Sequence, residues 1–360
     1  MMVQRVLLHE TGTYAREIGP VNPSASEERI IEMSSTATAS PVPDSVSIDR
    51  ALVAVIVPTF HGAPYWKDLS AGLAMQNLPA HQVLIVDTRS DDGTDAAAEA
   101  AGFRVMRISP EEFNHSFTRQ LAARQFPAAQ IIIYLTQDAT PVSGAFDALL
   151  EAFKDPAVGA AYGRQLPRPQ AGPIDAHARQ FNYPAQSRTQ TLASRETLGI
   201  KAAFFSNSFA AYRVAALDQA GGFPGDVIMA EDTIVAARML MLGWKTAYVA
   251  EAQAYHSHSY TIRQEFQRYF DIGVLHAREQ WLPRQFGKPT HEGVRFVLSE
   301  LRTLLHGHLH LVPYALMRNA AKLIGYQLGL REHLLGKKLS RRLSYHTGYW
   351  DSPHNNTHPA

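Results

Sequence analysis

The 360-residue sequence contains no cysteine. That excludes a disulfide framework, a thiolate zinc site, an iron–sulfur cluster and cysteine nucleophile chemistry. No run of 18 apolar residues occurs, so hydropathy gives no transmembrane helix. Residues Met1–Gly12 have no apolar stretch ahead of a small-residue cleavage site, and no secretory signal is expected there. No G-x-G-x-x-G and no Walker loop follow the first strand-like segment, so the glycines that let a backbone approach a dinucleotide or a triphosphate are missing. Net charge is also nearly absent, with 34 Lys/Arg against 33 Asp/Glu. This balance hides an asymmetry: residues 261–345 hold 14 Lys/Arg and six Asp/Glu, an excess of eight. Such a segment suits an anionic surface, membrane or nucleic acid, or is simply a solvated helical face.

What is present is a chain with a substantial core. Hydrophobic residues make up 46%, enough for two domains or for one large α/β domain with an appendage. Residues 22–49 are rich in Ser, Thr, Pro and Glu, and residues 1–50 are expected to be a disordered extension with one short helix at Glu27–Met33. Short apolar runs at Ala51–Pro58, His81–Asp87, Phe103–Ile108 and Gln130–Leu135 read as buried strands. They alternate with helical segments at Trp66–Asn77, Asp95–Ala101, Phe117–Arg124 and Phe146–Phe153. This pattern predicts a mostly parallel sheet with helices on both faces. Pro167–Arg195 reads as an irregular insertion, Asp232–Leu242 as a helix and Thr246–Ala250 as a strand. From Thr261 to Leu339 the pattern is helical, with breaks at Pro283, Pro289 and Pro313. The expected organisation is an extension (1–50), an α/β domain (51–260), a helical region (261–345) and a flexible tail (346–360).

In open parallel sheets, ligands bind beyond the carboxyl ends of the strands. Thr59, Asp87 and Gln137-Asp138 fall at three such ends, although each Asp alone would serve equally well as a turn or helix cap. Arg89, His115 and Arg119 are the basic groups nearby in sequence. A strand-end Asp suits a hard divalent cation that also takes substrate phosphates. Glu231-Asp232 opens a helix, where carboxylates either cap the dipole or act as a general base. His256 and His258, two apart after a strand, share a face and can reach one ion. His306, His308 and His310 have spacings that do not converge on a helix.

Taken together these residues resemble the inverting glycosyltransferases of family 2, which have the GT-A fold. The marks are Val55–Phe60 (VIVPTF), Ile85–Thr94 (IVDTRSDDGT), Thr136–Ala139 (TQDA), Gly221-Gly222-Phe223, and Ala230-Glu231-Asp232 with Arg238 and Gly243 downstream. Finer marks are similar to those of bacterial rhamnosyltransferases of surface polysaccharide assembly: Phe113-Asn114-His115 with Thr118-Arg119, Phe204–Asn207 (FFSN), Tyr255–Tyr260 (YHSHSY) and Phe270–Gly273 (FDIG). The resemblance implies a GT-A-like domain with a C-terminal helical region. It implies that Pro58, Thr59, Phe60, Asp87, Asp92, Arg119, Gln137 and Asp138 bind the nucleotide sugar. Asp232 would be the catalytic base with Glu231 beside it, and Asn207 and Glu231 would meet the acceptor. Asp138, His256 and His258 would hold Mg²⁺ or Mn²⁺.

One departure concerns the metal. The family's usual Asp-x-Asp is Gln137-Asp138-Ala139 here, with a single carboxylate. The implied reaction transfers L-rhamnose from dTDP-β-L-rhamnose to a glycan hydroxyl, with the acceptor carried on a lipid. The expected place is the cytoplasm, with peripheral contact at the inner face of the membrane and no nucleic acid partner. Alternatives are the same fold using a UDP-hexose, or a non-catalytic nucleotide-sugar-binding protein. A sugar-nucleotide pyrophosphorylase would need a Gly-rich basic loop where Pro58–Pro64 stands.

Overall fold

The computed structural model describes residues 47–287 and 290–351. The expected extension up to residue 46, its Glu27–Met33 helix and the break at Pro289 lie outside the described residues. The first half alternates as expected: β1 (Val53–Thr59), α1 (Ala63–Ala74), β2 (Val83–Asp87), α2 (Thr94–Ala100), β3 (Arg104–Arg107), α3 (His115–Ala123) and β4 (Ile131–Leu135). Next come β5 (Thr140–Pro141), α4 (Ala145–Glu151), β6 (Val158–Leu166), α5 (Pro173–Asn182), β7 (Arg188–Gln190), α6 (Arg195–Leu198) and β8 (Phe209–Arg213). Then follow α7 (Val214–Gln219), α8 (Glu231–Met241) and β9 (Lys245–Tyr255). The helical region comprises α9 (Ile262–Arg278), α10 (Trp281–Phe286), α11 (Thr290–Leu305), α12 (Val312–Gly329) and α13 (Gly336–Leu343).

The strands form one sheet in the order β3-β2-β1-β4-β8-β6-β9-β5, with β7 also on β9. The half β3-β2-β1-β4 is parallel, as the alternation of strands and helices requires. The other half is mixed, with β8 antiparallel to both β4 and β6, and β6 parallel to β9. Side chains alternate across the sheet. Val53, Val55 and Val57 face Leu69 and Leu73 of α1 and Phe146 and Leu149 of α4. Ala54 and Ile56 face the opposite layer, with Ala122 of α3, Leu217 of α7 and Val235 and Met239 of α8. Each fully buried Val or Ile contributes about 1.5–3 kcal/mol, and this three-layer arrangement holds the strand ends in place.

The site opens where the sheet splits. The β1–β2 ladder runs to Thr59↔Asp87, but the β1–β4 ladder stops at Ile56↔Tyr134. Pro58 follows that point, and proline has no N–H to continue a ladder. The gap between the ends of β1 and β4 is the crevice that the strand order calls for.

Several expectations need correction. Pro167–Arg195 is not irregular, since it holds α5 and β7. Pro173 starts α5, where a missing N–H costs nothing, and three-residue β7 exists only by pairing with β9. Strand β6 escaped prediction because VGAAYGRQL lacks a β-branched run; its small residues are dictated by its neighbours, and a Cβ on Gly163 would strike the Phe209 ring. The helical run is interrupted just ahead of Pro283 and Pro313, which lie in the first turns of α10 and α12. Packing also extends past the expected start of the tail, because residues 347–351 form a short helix with Trp350 buried.

Candidate active site

The exits of β1, β2 and β4 are tied together by side chains. Thr59 Oγ1 and Ser90 Oγ donate to Asp87 Oδ2 at 2.9 and 2.7 Å, and the Ser90 N–H donates to Oδ1 at 2.7 Å. Asp87 is fully buried. Asp92 accepts from the Ala63 N–H (2.8 Å) at the start of α1 and from Thr94 Oγ1 (2.6 Å). Gln137 brackets the Phe60 peptide: the Phe60 N–H donates to Oε1 at 2.8 Å, and Nε2 donates to the Phe60 carbonyl at 3.0 Å. The Phe60 ring remains half exposed above this rim. His61 and Arg89 hold left-handed backbone (φ 49° and 44°), a strained state for side-chain-bearing residues that recurs around functional loops.

Beside the rim lies a second cluster. The Nε2 atoms of His256 and His258 stand 3.3 and 3.2 Å from Asp138 Oδ2 and 3.0 Å from each other. The His256 tautomer follows from its neighbours. Gln165 Nε2 donates to Ser206 Oγ, and Gln165 Oε1 accepts from Arg179. His256 Nδ1, 2.8 Å from that oxygen, must therefore be the donor, which turns Nε2 toward Asp138. Burial and the neighbouring His256 push the His258 pKa down to about 4, so the His258 ring can serve as a neutral ligand. Burial alone would raise the Asp138 carboxyl, but the His256 hydrogen bond and the imidazole charges outweigh it and hold Asp138 well below the ordinary carboxylate range. The two Nε2 atoms and Asp138 Oδ2 thus form a triangle of candidate ligand atoms. For metal–ligand bonds of ~2.1 Å in an octahedron, adjacent ligands lie about 3.0 Å apart, and a two-His, one-carboxylate face leaves the remaining positions open. The residues fit a divalent cation. Arg168 donates to the Asp138 carbonyl (2.6 Å) and adds a cation alongside.

The third group sits at the N-terminus of α8, behind Ala230 in left-handed backbone (φ 59°). Glu231 Oε1 accepts from Arg119 at 2.5 Å and from Asn207 Nδ2 at 3.3 Å. Asp232 Oδ2 accepts the Asn207 N–H at 2.8 Å, and Oδ1 accepts the Thr233 N–H at 2.7 Å. Tyr212 donates to Asn207 Oδ1 at 2.7 Å and locks its amide. Burial first, then the charge of Glu231, pushes the Asp232 pKa up to about 7. Burial disfavours the Glu231 charge as well, but Arg119 more than compensates and holds its pKa below the usual value. One acid therefore stays ionised, and its neighbour is poised near neutrality, as proton transfer at physiological pH needs.

The three groups are joined. Gln137 and Asp138 are adjacent, the Thr136 N–H donates to the Ser208 carbonyl, and Gln165–Ser206 leads to Asn207. Arg119, expected at the nucleotide, pairs with Glu231. Asn207, expected at the acceptor, has its side-chain amide engaged by Glu231 and Tyr212 and its N–H by Asp232. Gln165, Arg168 and Tyr212 were not foreseen. Arg168 and Gln165 flank Pro167 in a stretch with no readable period, and only the fold brings them to the site.

The family model described as "Glycosyltransferase like family 2" matches residues 50–274. The O-antigen chain rhamnosyltransferase RfbN of Salmonella typhimurium is 41% identical over 302 residues, covering 83% of this chain and 96% of that one. The O-antigen chain rhamnosyltransferase WbaN of Salmonella anatum is 42% identical over 300 residues, covering 83% and 95%. Among solved structures, the mannosyltransferase PcManGT of Pyrobaculum calidifontis, in complex with GDP-Man and Mn²⁺, aligns with a TM-score of 0.50 at 21% identity, covering 91% of this chain and 92% of that one. That likeness supports the GT-A-like fold. With the family match spanning the whole α/β domain and the relatives spanning most of the chain, the protein belongs to glycosyltransferase family 2.

Proposed function

We propose that the enzyme transfers L-rhamnose from dTDP-β-L-rhamnose to a hydroxyl of a lipid-linked glycan in surface polysaccharide assembly, with inversion at C1. The observation that carries this reading is the fixed relation between two chemically distinct groups. A two-imidazole, one-carboxylate face is joined through Gln165, Ser206 and Asn207 to an acid whose pKa lies near 7. The names of the relatives, O-antigen chain rhamnosyltransferases, support the sugar and the pathway class.

In this reading the base of the nucleoside lies over the rim built by Thr59, Asp87, Asp92 and Gln137, against the Phe60 ring. Asp138, His256 and His258 would hold the metal, and two imidazole nitrogens favour a transition ion such as Mn²⁺ over Mg²⁺. Bound there, the ion would neutralise charge on the leaving diphosphate. Arg168 adds a fixed positive charge on the same side. Ionised Asp232 takes the proton of the acceptor hydroxyl. The hydroxyl oxygen bonds to C1 from the face opposite the nucleotide, the C1–O bond to the β-phosphate breaks, and dTDP leaves with the electron pair. Arg119 keeps Glu231 charged, and Glu231 in turn raises the basicity of Asp232. The lipid-linked acceptor places the enzyme at the cytoplasmic membrane face.

The test is a donor panel. Purified enzyme with Mn²⁺ and a synthetic lipid-linked acceptor should release dTDP from dTDP-β-L-rhamnose and yield an α-linked product by NMR. Turnover with a UDP-hexose and none with dTDP-rhamnose would remove the donor assignment.

A further inference from the structure

Helix α12 is amphipathic in the wrong sense for a helix that ends at water. Its inward face carries Ala315, Arg318, Lys322, Gly325 and Gly329, all buried. Arg318 pairs with Asp175 of α5 at 3.1 Å and with Glu265 of α9, and Lys322 lies 3.5 Å from Glu265. The glycines allow α9 to approach closely, since a Cβ on Gly325 or Gly329 would strike the carbonyl of Phe266 or Phe270. The outward face, at the complementary helical spacing, is Pro313, Leu316, Met317, Ala320, Leu323 and Ile324, without a charge. Leu323 is 61% exposed while Arg318 is 5% exposed. A helix that buries its cations and presents its leucines has its apolar stripe turned away from the protein.

The neighbouring helix α11, which packs on α12, repeats the arrangement. Val294, Leu298 and Leu305 form one exposed stripe, and exposed Arg295 and Arg302 line its edge. The turn between the helices adds exposed Leu309. The acids of residues 290–345 are all engaged: Glu292 with Lys201 and, at 3.5 Å, with Arg295, Glu300 with Asn319 and Glu332 with Arg278; exposed Arg302 belongs to none of these pairs. The outer surface here is therefore apolar with a basic border.

We infer that the α11–α12 hairpin is a membrane-docking surface that seats on anionic phospholipid, its leucines entering the acyl boundary and its arginines meeting headgroups. Charge selects this occupant over a second copy of the chain. An isologous dimer would bring the same basic border onto itself, whereas an anionic bilayer complements it. For its purpose the inference rests on the lipid-linked acceptor proposed above, but its test does not use that reaction.

The experiment is flotation of the full chain with phosphatidylglycerol-containing vesicles, with phosphatidylcholine vesicles, and at low and high salt. Wild type should float with the anionic vesicles at low salt and partition at least tenfold less onto the neutral ones. The variant Leu316→Ser/Leu323→Ser/Ile324→Ser should lose at least tenfold in anionic-vesicle binding with an unchanged melting temperature, because the altered side chains are already outside the core. Arg295→Glu/Arg302→Glu should weaken binding and flatten the salt dependence. Equal flotation of the triple variant and wild type would overturn the inference. So would wild-type dimers in analytical ultracentrifugation that the triple variant dissociates, with no vesicle binding by either. Transfer to a water-soluble acceptor, measured in parallel, reports on the transferase reading separately.

Discussion

The strand-end rim and the two charged clusters lie side by side, yet they are built on opposite terms. In the rim, Asp87 and Asp92 accept hydrogen bonds on both oxygens, and Gln137 uses its oxygen and its nitrogen on one peptide. In the clusters, titratable groups crowd one another: two imidazole nitrogens and a carboxylate within 3.3 Å, and Glu231 beside Asp232. The rim holds its shape by internal satisfaction. The clusters hold groups whose charge depends on their neighbours, and a proton, cation or substrate binding there changes the energy most.

This contrast can be broken at either end. The largest effect is expected from Asp232→Asn, which should lower kcat by about 10²–10⁴-fold while donor affinity and melting temperature stay near wild type. A saturating-donor transfer assay beside calorimetry checks it, and undiminished turnover would remove the base from Asp232. Asp87→Ala should do the reverse, costing roughly 2–4 kcal/mol of stability by stranding buried donors, as chemical denaturation would measure. If Asp87→Ala melted like wild type, the rim would not be the scaffold described here.

Smaller changes sharpen the comparison. Gln165→Leu frees the His256 ring without touching a metal-binding atom, and loss of such an orienting partner lowers metal affinity by about 10–100-fold. Titration with Mn²⁺ would detect this, and an unchanged affinity would mean that the ring is held by packing alone. The smallest effect is a pH shift. Asp232 must be ionised to accept a proton, so the rate should rise with pH through about 7. Glu231→Gln removes the adjacent negative charge and should move that rise to lower pH. The stability sign is opposite to the usual carboxylate case: because the folded-state pKa lies above the unfolded value, the contribution of Asp232 is fullest at acid pH and is lost as pH rises toward 7.

Much of the fold was legible because β1, β2 and β4 are short runs rich in Val and Ile; β1 and β2 end on Thr59 and Asp87 at the crevice, and β4 is followed by Thr136-Gln137-Asp138. Strand β6 was not legible, since its alanines and glycines answer to Phe209 and Trp244 across the sheet rather than to any local preference. The candidate site divides the same way. Asp87, Asp138 and Asp232 announce themselves at element ends. His256 and His258 suggested a shared ion from their spacing, but they lie just past the end of β9, and the Thr140↔Tyr255 pairing is what carries them to Asp138. The Arg119–Glu231 pair spans 112 residues, and no local pattern encodes it.

The bracket that Gln137 makes around Phe60 has a consequence for hydrogen exchange. With the β1–β4 ladder ended before Pro58, the Gln137 amide stands in for the missing rung and accepts from a backbone N–H in an otherwise solvent-facing loop. The Phe60 amide proton should therefore exchange slowly for its exposure. It gives the crevice a single reporter: any opening that separates the ends of β1 and β4 must first release that proton to water.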